Sequence, residues 1–184
     1  MTAPAFTLFE TPIGVCSLVW TGDTIVGLRL PEASPAATRA RIAKRWPGAT
    51  EQPTAPAPMQ AVIDRVLRLL AGEKVSLEDV ALDFGPSPDF HKRAYAIART
   101  IPPGQTMTYG EIAKRLGAPH ESREVGQAMG KNPIAILMPC HRVLGADGKM
   151  GGFSANGGVG TKRRILEIEG AAAVSAGPLF AGLA

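Results

Sequence analysis

The hydrophobic pattern of this chain changes period along its length, and that change limits the folds open to it. Up to Leu30 the apolar residues alternate or cluster with β-branched neighbours: Phe6-Thr7-Leu8-Phe9, Val15-Cys16-Ser17-Leu18-Val19-Trp20 and Ile25-Val26-Gly27-Leu28-Arg29-Leu30. The turn-forming stretches Thr11-Pro12-Ile13-Gly14 and Thr21-Gly22-Asp23 separate them, which predicts a small antiparallel meander. Beyond Leu30 the period is helical. Ser34 and Pro35 predict the start of a helix over 36–45, with Trp46 before the break at Pro47-Gly48. Residues 51–58 are rich in Pro and Ala and read as an exposed linker. From Met59, the residues Val62, Val66, Leu69 and Leu70 recur at helical spacing up to Ala71-Gly72. Gly85-Pro86-Ser87-Pro88 then marks a subdomain boundary.

The second half reads as mostly helical. A helix over 89–99 precedes the turn Ile101-Pro102-Pro103-Gly104. Thr108-Tyr109-Gly110-Glu111 has capping-box spacing, Ile112, Ala113 and Leu116 supply an apolar face, and Gly117 ends the helix. Ser122 is placed to cap a second helix over 123–129, which carries Arg123 and the small residues Gly126 and Ala128, with Gly130 just after. Two short helices joined by a tight turn fit a helix-turn-helix, and equally a plain helical hairpin in a core. The small residues make the second helix slim enough to approach a narrow groove.

With 184 residues the chain can bury one or two small cores. Residues 1–85 carry eight Lys/Arg against nine Asp/Glu, whereas residues 86–184 carry twelve against seven. A basic half beside a neutral one suits a polyanion such as nucleic acid. The opening Met1-Thr2-Ala3-Pro4 is no leader, and no apolar run is long enough to span a bilayer, so a cytoplasmic protein without membrane contact is expected. Cys16 and Cys140 are the only cysteines, too few for a disulfide framework or a four-thiolate zinc site. His91 and His120 lack partners at metal-ligand spacing, so no metal site is expected, and nothing in the chain implies a cofactor. Cys16, in a strand beside Leu18 and Trp20, reads as core.

Chemistry concentrates at Pro139-Cys140-His141-Arg142-Val143, which follows Asn132-Pro133 and the apolar run Ile134-Ala135-Ile136-Leu137-Met138. Two residues able to carry positive charge after a cysteine favour its thiolate, the nucleophilic form. The neighbouring imidazole can remove the thiol proton, directly or through a water, if a third group orients it. Taken singly, Cys140 could be a structural thiol, His141 a structural histidine and Arg142 an ion-paired residue.

Taken together, these strings resemble the O6-alkylguanine-DNA alkyltransferases, also called methylated-DNA–protein-cysteine methyltransferases. The resemblance runs from about Asp89 to Gly170 and includes Ile101-Pro102 with Gly104, Thr108-Tyr109, Arg123, Val125-Gly126, Met129, Phe153-Ser154 and Glu169-Gly170. It implies an α/β (α+β) protein: a ribonuclease H-like subdomain over 1–85, packed on a helical subdomain over 86–170 with a winged helix-turn-helix. Residues 171–184 are expected to be a loose tail.

The resemblance also implies roles. Cys140 would displace guanine from its O6-alkyl group in a single, irreversible turnover, on double-stranded DNA and as a monomer, leaving O4-alkylthymine open as a second substrate. His141, oriented by Glu169, would generate the thiolate, and Asn132 would order the cysteine turn. Tyr109 would stabilise the leaving base, and Ser154 would reach O6. Backbone carbonyls of Cys140 and Val143 would read the guanine amino group, with Met129 and Phe153 also at the pocket. The base would be flipped out of the duplex, with Arg123 filling the gap. Gly126, Ala128, Tyr109 and Arg142 complete the expected DNA-contacting set. Three departures stand out: the Ser154–Glu169 segment is slightly long, Phe153 replaces a more usual tyrosine, and Ala135 replaces a proline of some members. Lys162-Arg163-Arg164 reads as a solvated helix face or a phosphate contact, the former favoured. Two rivals remain: a lesion-binding relative, a class that lacks the cysteine, and a thiol hydrolase, which would need His91 or His120 as its base.

Overall fold

The structure, a computed structural model, describes residues 3–175. Strands β1 (Ala5–Thr11), β2 (Gly14–Thr21) and β3 (Thr24–Arg29) form the meander that the alternation predicts. A short β4 (Thr50–Glu51) pairs parallel to β1, giving the sheet order β3-β2-β1-β4. Period-two alternation gives this sheet two apolar faces. Phe6 and Val19 pack on Ile42 of helix α1 (Pro35–Arg45). Cys16, Leu18 and Trp20 point the other way, into a core with Met59, Val62 and Val66 of α2 (Ala57–Leu70). Each such buried aliphatic side chain contributes about 1.5–3 kcal/mol.

Local rules place α1 well. Ser34 Oγ accepts the Ala37 N–H at 3.1 Å, Pro35 opens the first turn, and Trp46 closes the helix by donating its N–H to Ile42 O at 2.8 Å. The benzo ring of Trp46 then packs against Gly27, too close for a Cβ to fit there. Gly27→Ala is therefore expected to lift the indole off the sheet and cost about 1–3 kcal/mol. The measurement is denaturant unfolding with tryptophan emission: Trp46 should shift red in the folded state, while Trp20 stays buried.

The expected linker over 51–58 is corrected in part. Glu51 is paired with β1, Ala55 is buried, and α2 begins at Ala57 with Pro58 in its first turn, where no N–H is needed.

The second half comprises α3 (Asp89–Arg99), β5 (Met107–Thr108), α4 (Tyr109–Arg115), α5 (Ser122–Gly130), β6 (Val143–Leu144), α6 (Gly158–Ile168) and α7 (Ala172–Ser175), with β5 and β6 paired in parallel. Ala94, Tyr95 and Ala98 of α3 close a second core with Ile112 and Ala113 of α4 and Val125 and Met129 of α5. The Thr108–Glu111 capping box is formed, with Thr108 Oγ1 accepting the Glu111 N–H at 3.1 Å and Glu111 Oε2 accepting the Thr108 N–H at 2.6 Å. Ser122 does not cap α5: it is the first helical residue, and Glu121 precedes it with no side-chain cap bond. The expected loose tail is ordered at its start, because Ala171 is buried with Leu144 and Leu166 and α7 follows. Residues 176–184 lie outside the described residues.

The two halves share a core. Ile134, Ile136, Leu137 and Ile165 pack into the cluster beneath the sheet. The outer edge of β3 is also tied to the second half: Leu28 N–H donates to Pro133 O at 3.2 Å, and Ala135 N–H donates to Leu28 O at 3.0 Å. The segment leading to Cys140 thus starts from a fixed sheet edge.

Candidate active site

From that edge the chain makes two very tight turns. Leu137 N–H donates to Ala135 O at 2.7 Å around Ile136, whose φ of 67° is left-handed and rare for a β-branched residue. Cys140 N–H donates to Met138 O at 2.8 Å around Pro139 (φ −81°, ψ 63°), an inverse γ-turn. Backbone of this kind persists only where its surroundings hold it. Asn132 does so: Nδ2 donates to Met138 O at 2.9 Å and to Cys140 Sγ at 3.3 Å, while Oδ1 accepts the Ile134 N–H at 2.9 Å.

Cys140 opens a single 3₁₀ turn, Cys140–Arg142, and is 8% exposed. Burial pushes its thiol up, against the pull of the Asn132 hydrogen bond and the Lys162 ammonium. At rest the group is a thiol, so its chemistry needs a base. His141 is buried beside it, and burial holds its pKa below the ordinary histidine value even with Glu169 opposing. The imidazole is therefore neutral near pH 7. Its Nε2 donates to Glu169 Oε1 at 2.9 Å, which leaves the Nδ1 lone pair to accept a proton.

Glu169 is fully enclosed. Burial raises its pKa, but His141 and Arg142 outweigh that and bring it down to about 2. Arg142 donates Nη2 to Oε1 at 2.7 Å and Nε to Oε2 at 3.0 Å, and its Nη1 donates to Ile101 O at 2.6 Å. The longer Ser154–Glu169 segment does not displace this carboxylate. Gly157 (φ 80°) and Gly158 (φ 52°) turn left-handed at its start, and Thr161 Oγ1 donates to Asn156 O at 2.7 Å.

Two expected DNA contacts are corrected. Arg142 is 5% exposed and committed to Glu169 and Ile101, so its guanidinium faces the interior. Ala128 is fully buried, and its small size serves packing against α3, where Tyr95 Oη donates to its carbonyl at 2.8 Å. Arg123 is exposed and Gly126 half-buried. Together with Tyr109, Gly130, Phe153 and Ser154 they line a cleft of about 770 Å³. Burial and the nearby Cys140 push the Tyr109 phenol up, so it remains a hydrogen-bond donor. A second cleft, of about 270 Å³, reaches Cys140 and Asn132 and shares Gly130, Phe153 and Ser154 with the first. Met129 and Val143 lie in the core cluster with Cys140, behind both openings.

Lys162 is corrected in the other direction. It is 1% exposed, donates Nζ to Val143 O at 2.7 Å and lies 6.0 Å from the centre of the Tyr109 ring. Burial lowers its pKa while Cys140 opposes, and Lys162 in turn pulls the Cys140 thiol down. The signal was available in the sequence. Lys162, Ile165, Leu166 and Glu169 fall on one stripe at helical spacing, and all four are buried. Lys162→Met is expected to raise the Cys140 pKa and slow its alkylation by iodoacetamide on the order of tenfold at neutral pH, about one pKa unit. An unchanged pH profile of that reaction would remove Lys162 from the site.

His91 is buried on α3, with Nε2 2.7 Å from Glu124 Oε1 of α5, and His120 is exposed. His91 thus braces the helix that carries Arg123 and is not available as the base of a hydrolase. Among the described residues, no group of three or more His, Cys, Asp or Glu could hold a metal ion, and no helix is long and apolar enough to cross a membrane.

A buried thiol beside a neutral, carboxylate-oriented imidazole, at the foot of an open cleft, defines a protein that uses cysteine as its nucleophile. Comparison with known proteins narrows this class. A family model described as the DNA binding domain of 6-O-methylguanine DNA methyltransferase matches residues 89–171. The methylated-DNA–protein-cysteine methyltransferase of Mycobacterium bovis is 39% identical over 87% of this chain and 88% of its own length. That of Methanothermobacter thermautotrophicus is 31% identical over 86% of this chain and 81% of its own. The crystal structure of Mycobacterium tuberculosis OGT in complex with DNA has the same mixed α/β arrangement, with a TM-score of 0.74 and 37% identity, covering 92% of this chain and 96% of that one. This chain belongs to the methylated-DNA–protein-cysteine methyltransferase family.

Proposed function

We propose that this protein repairs DNA by direct reversal, taking a methyl or larger alkyl group from O6 of guanine onto Cys140 in one irreversible turnover. The observation that carries the reading is the His141–Glu169 pair beside a buried cysteine held by Asn132. His141 Nδ1, through a water, takes the thiol proton. Cys140 Sγ then forms a bond to the alkyl carbon as the carbon–O6 bond breaks, and the electron pair leaves with guanine. Tyr109 donates to the ring of the leaving base, which disperses its charge, and Ser154 reaches O6. Val143 O already accepts from Lys162 and has a second lone pair for the guanine amino group.

For a base in a duplex to reach this thiol it must leave the stack, at a cost of a few kcal/mol. The exposed Arg123, with the slim α5 surface at Gly126, is suited to occupy the gap. We further infer that the chain acts as a monomer on double-stranded DNA. Its halves, 1–85 and 86–170, serve as a ribonuclease H-like unit and a winged helix-turn-helix unit. The order β3-β2-β1-β4 with helices on both faces, and the α4–α5 pair beside β5–β6, support that finer description.

The test is to incubate the protein with a duplex carrying O6-methylguanine and weigh the intact protein, then its Cys140 peptide. One added methyl is expected, and none would overturn the reading. Arg123→Ala should slow repair in duplex by about tenfold or more, about 1.4 kcal/mol or more of lost gap filling, while leaving transfer from the free base unchanged. Equal loss on both substrates would remove its role as a wedge.

A further inference from the structure

The first half of the chain is nearly neutral in sum, but its charges are segregated in space. Five of its eight basic side chains, Arg29, Arg39, Arg41, Lys44 and Arg45, lie on α1 or at the end of β3 beside it, and α1 itself contains no Asp or Glu. Two carboxylates oppose them. Glu51 is taken by Arg39 at 2.7 Å. Glu32 sits between Arg29 at 3.3 Å and Arg41 at 3.1 Å. Among the described residues Lys44 makes no ion pair, and Arg45 lies over the Trp46 ring at 5.6 Å, so the face keeps a net positive charge.

The position of this face matters as much as its sign. Arg29, Arg41 and Arg45 line the same cleft as Cys140, Asn132 and Ser154, and Lys131 adds a cation from the second half. They continue past it into a further open depression of about 630 Å³ with Lys44. Because the Cys140 cleft shares Gly130, Phe153 and Ser154 with the cleft of Tyr109 and Arg123, a continuous groove runs from α5 over the nucleophile to α1.

From this groove we infer that α1 is a second DNA-contacting element: Arg41, Lys44 and Arg45 bind the phosphodiester backbone of the lesion-bearing DNA beyond the target nucleotide. This rests on the DNA-repair reading above. The cluster makes sequence-independent phosphate contacts from the half of the chain opposite the helix-turn-helix pair, so it adds affinity and registers the strand without reading bases. Glu32, held between two arginines and largely buried, spaces the guanidiniums and does not repel the phosphates.

The experiment compares the wild type with Arg41→Gln/Lys44→Gln/Arg45→Gln, three exposed positions whose substitution leaves the core intact. Two readouts are needed: methyl uptake from the free base O6-methylguanine, and affinity for a lesion duplex across a salt series. Uptake from the free base should fall far less than duplex affinity does. Duplex affinity at low salt should fall tenfold or more, and the slope of log affinity against log salt should flatten by about 0.9 for each phosphate that the variant no longer neutralises. A slope and affinity equal to wild type would overturn the inference, as would an equal loss on the free base. A wild type that binds duplex but takes up no methyl would overturn the activity reading alone, and the salt series would still decide the role of α1.

Discussion

Cys140→Ala is expected to abolish alkyl transfer completely while leaving a folded protein that still binds lesion-containing DNA. No second thiol can substitute. Cys16 is wholly buried in β2, and its thiol is pushed up to about 12 by burial, with only a weak offsetting hydrogen bond from Thr11. The fold should tolerate the change, because Asn132 Nδ2 retains Met138 O as acceptor when Sγ is removed. The void left by one sulfur should cost about 1 kcal/mol, a melting shift of only a few degrees. The measurement pairs intact mass after incubation with a gel-shift on the same duplex. Any methyl gained by the variant, or loss of folding, would contradict this assignment. Cys140→Ser should also be inert on the assay timescale, since a neutral imidazole cannot ionise an alcohol as it can a thiol.

The second large effect is expected at Glu169. In Glu169→Gln the Arg142 guanidinium stays buried without its counter-ion, and removing one member of a buried pair costs about 3–5 kcal/mol. Transfer should slow by about 10²–10⁴, the range of a general base, because His141 loses the charge that favours its protonation and keeps only a neutral amide oxygen as its orienting acceptor. Urea unfolding and single-turnover methyl transfer at low temperature read the two effects separately. Arg142→Lys, which keeps the charge but not the forked geometry, should lose stability with a smaller loss of rate.

The same cluster sets an acid limit. Glu169 has a folded pKa near 2, below its ordinary value of 4.5. Its contribution to stability is therefore complete above about pH 4.5 and is lost as pH falls toward 2. Activity should also be lost on the acid side, when His141 takes a proton. Because burial lowers its pKa, that limb lies below the ordinary histidine value of 6.5.

Features set by short-range rules were legible in the residues. The meander, the Ser34 cap of α1 and the Thr108–Glu111 capping box all depend on neighbours within a few positions, and so does the Pro-Cys-His-Arg-Val string itself. Reading failed where a distant segment decided the outcome. Residues 51–58 are not a free linker because β1 and the α2 core claim Glu51 and Ala55. Ser122 lost its capping role to a helix start one residue earlier than expected. The left-handed Ile136 has no local marker, and the sheet edge and Asn132 hold it.

By itself the order of amino acids determined which residue is the nucleophile, which groups are chemically able to serve it, and that the chain joins a β-meander to a helical half. Tertiary structure alone decided where each charge ends up. Arg142, expected on DNA, turned inward because Glu169 arrives from the end of α6 to neutralise it. Lys162, expected on a solvated face or at a phosphate, was buried against Val143 O and near Cys140. The basic face of α1, hidden in a neutral sum, came to lie beside the Cys140 cleft. The physical reason is common to all three. A side chain's charge is known from its type, but the free energy of keeping that charge buried or exposed depends on partners that only the folded chain brings together.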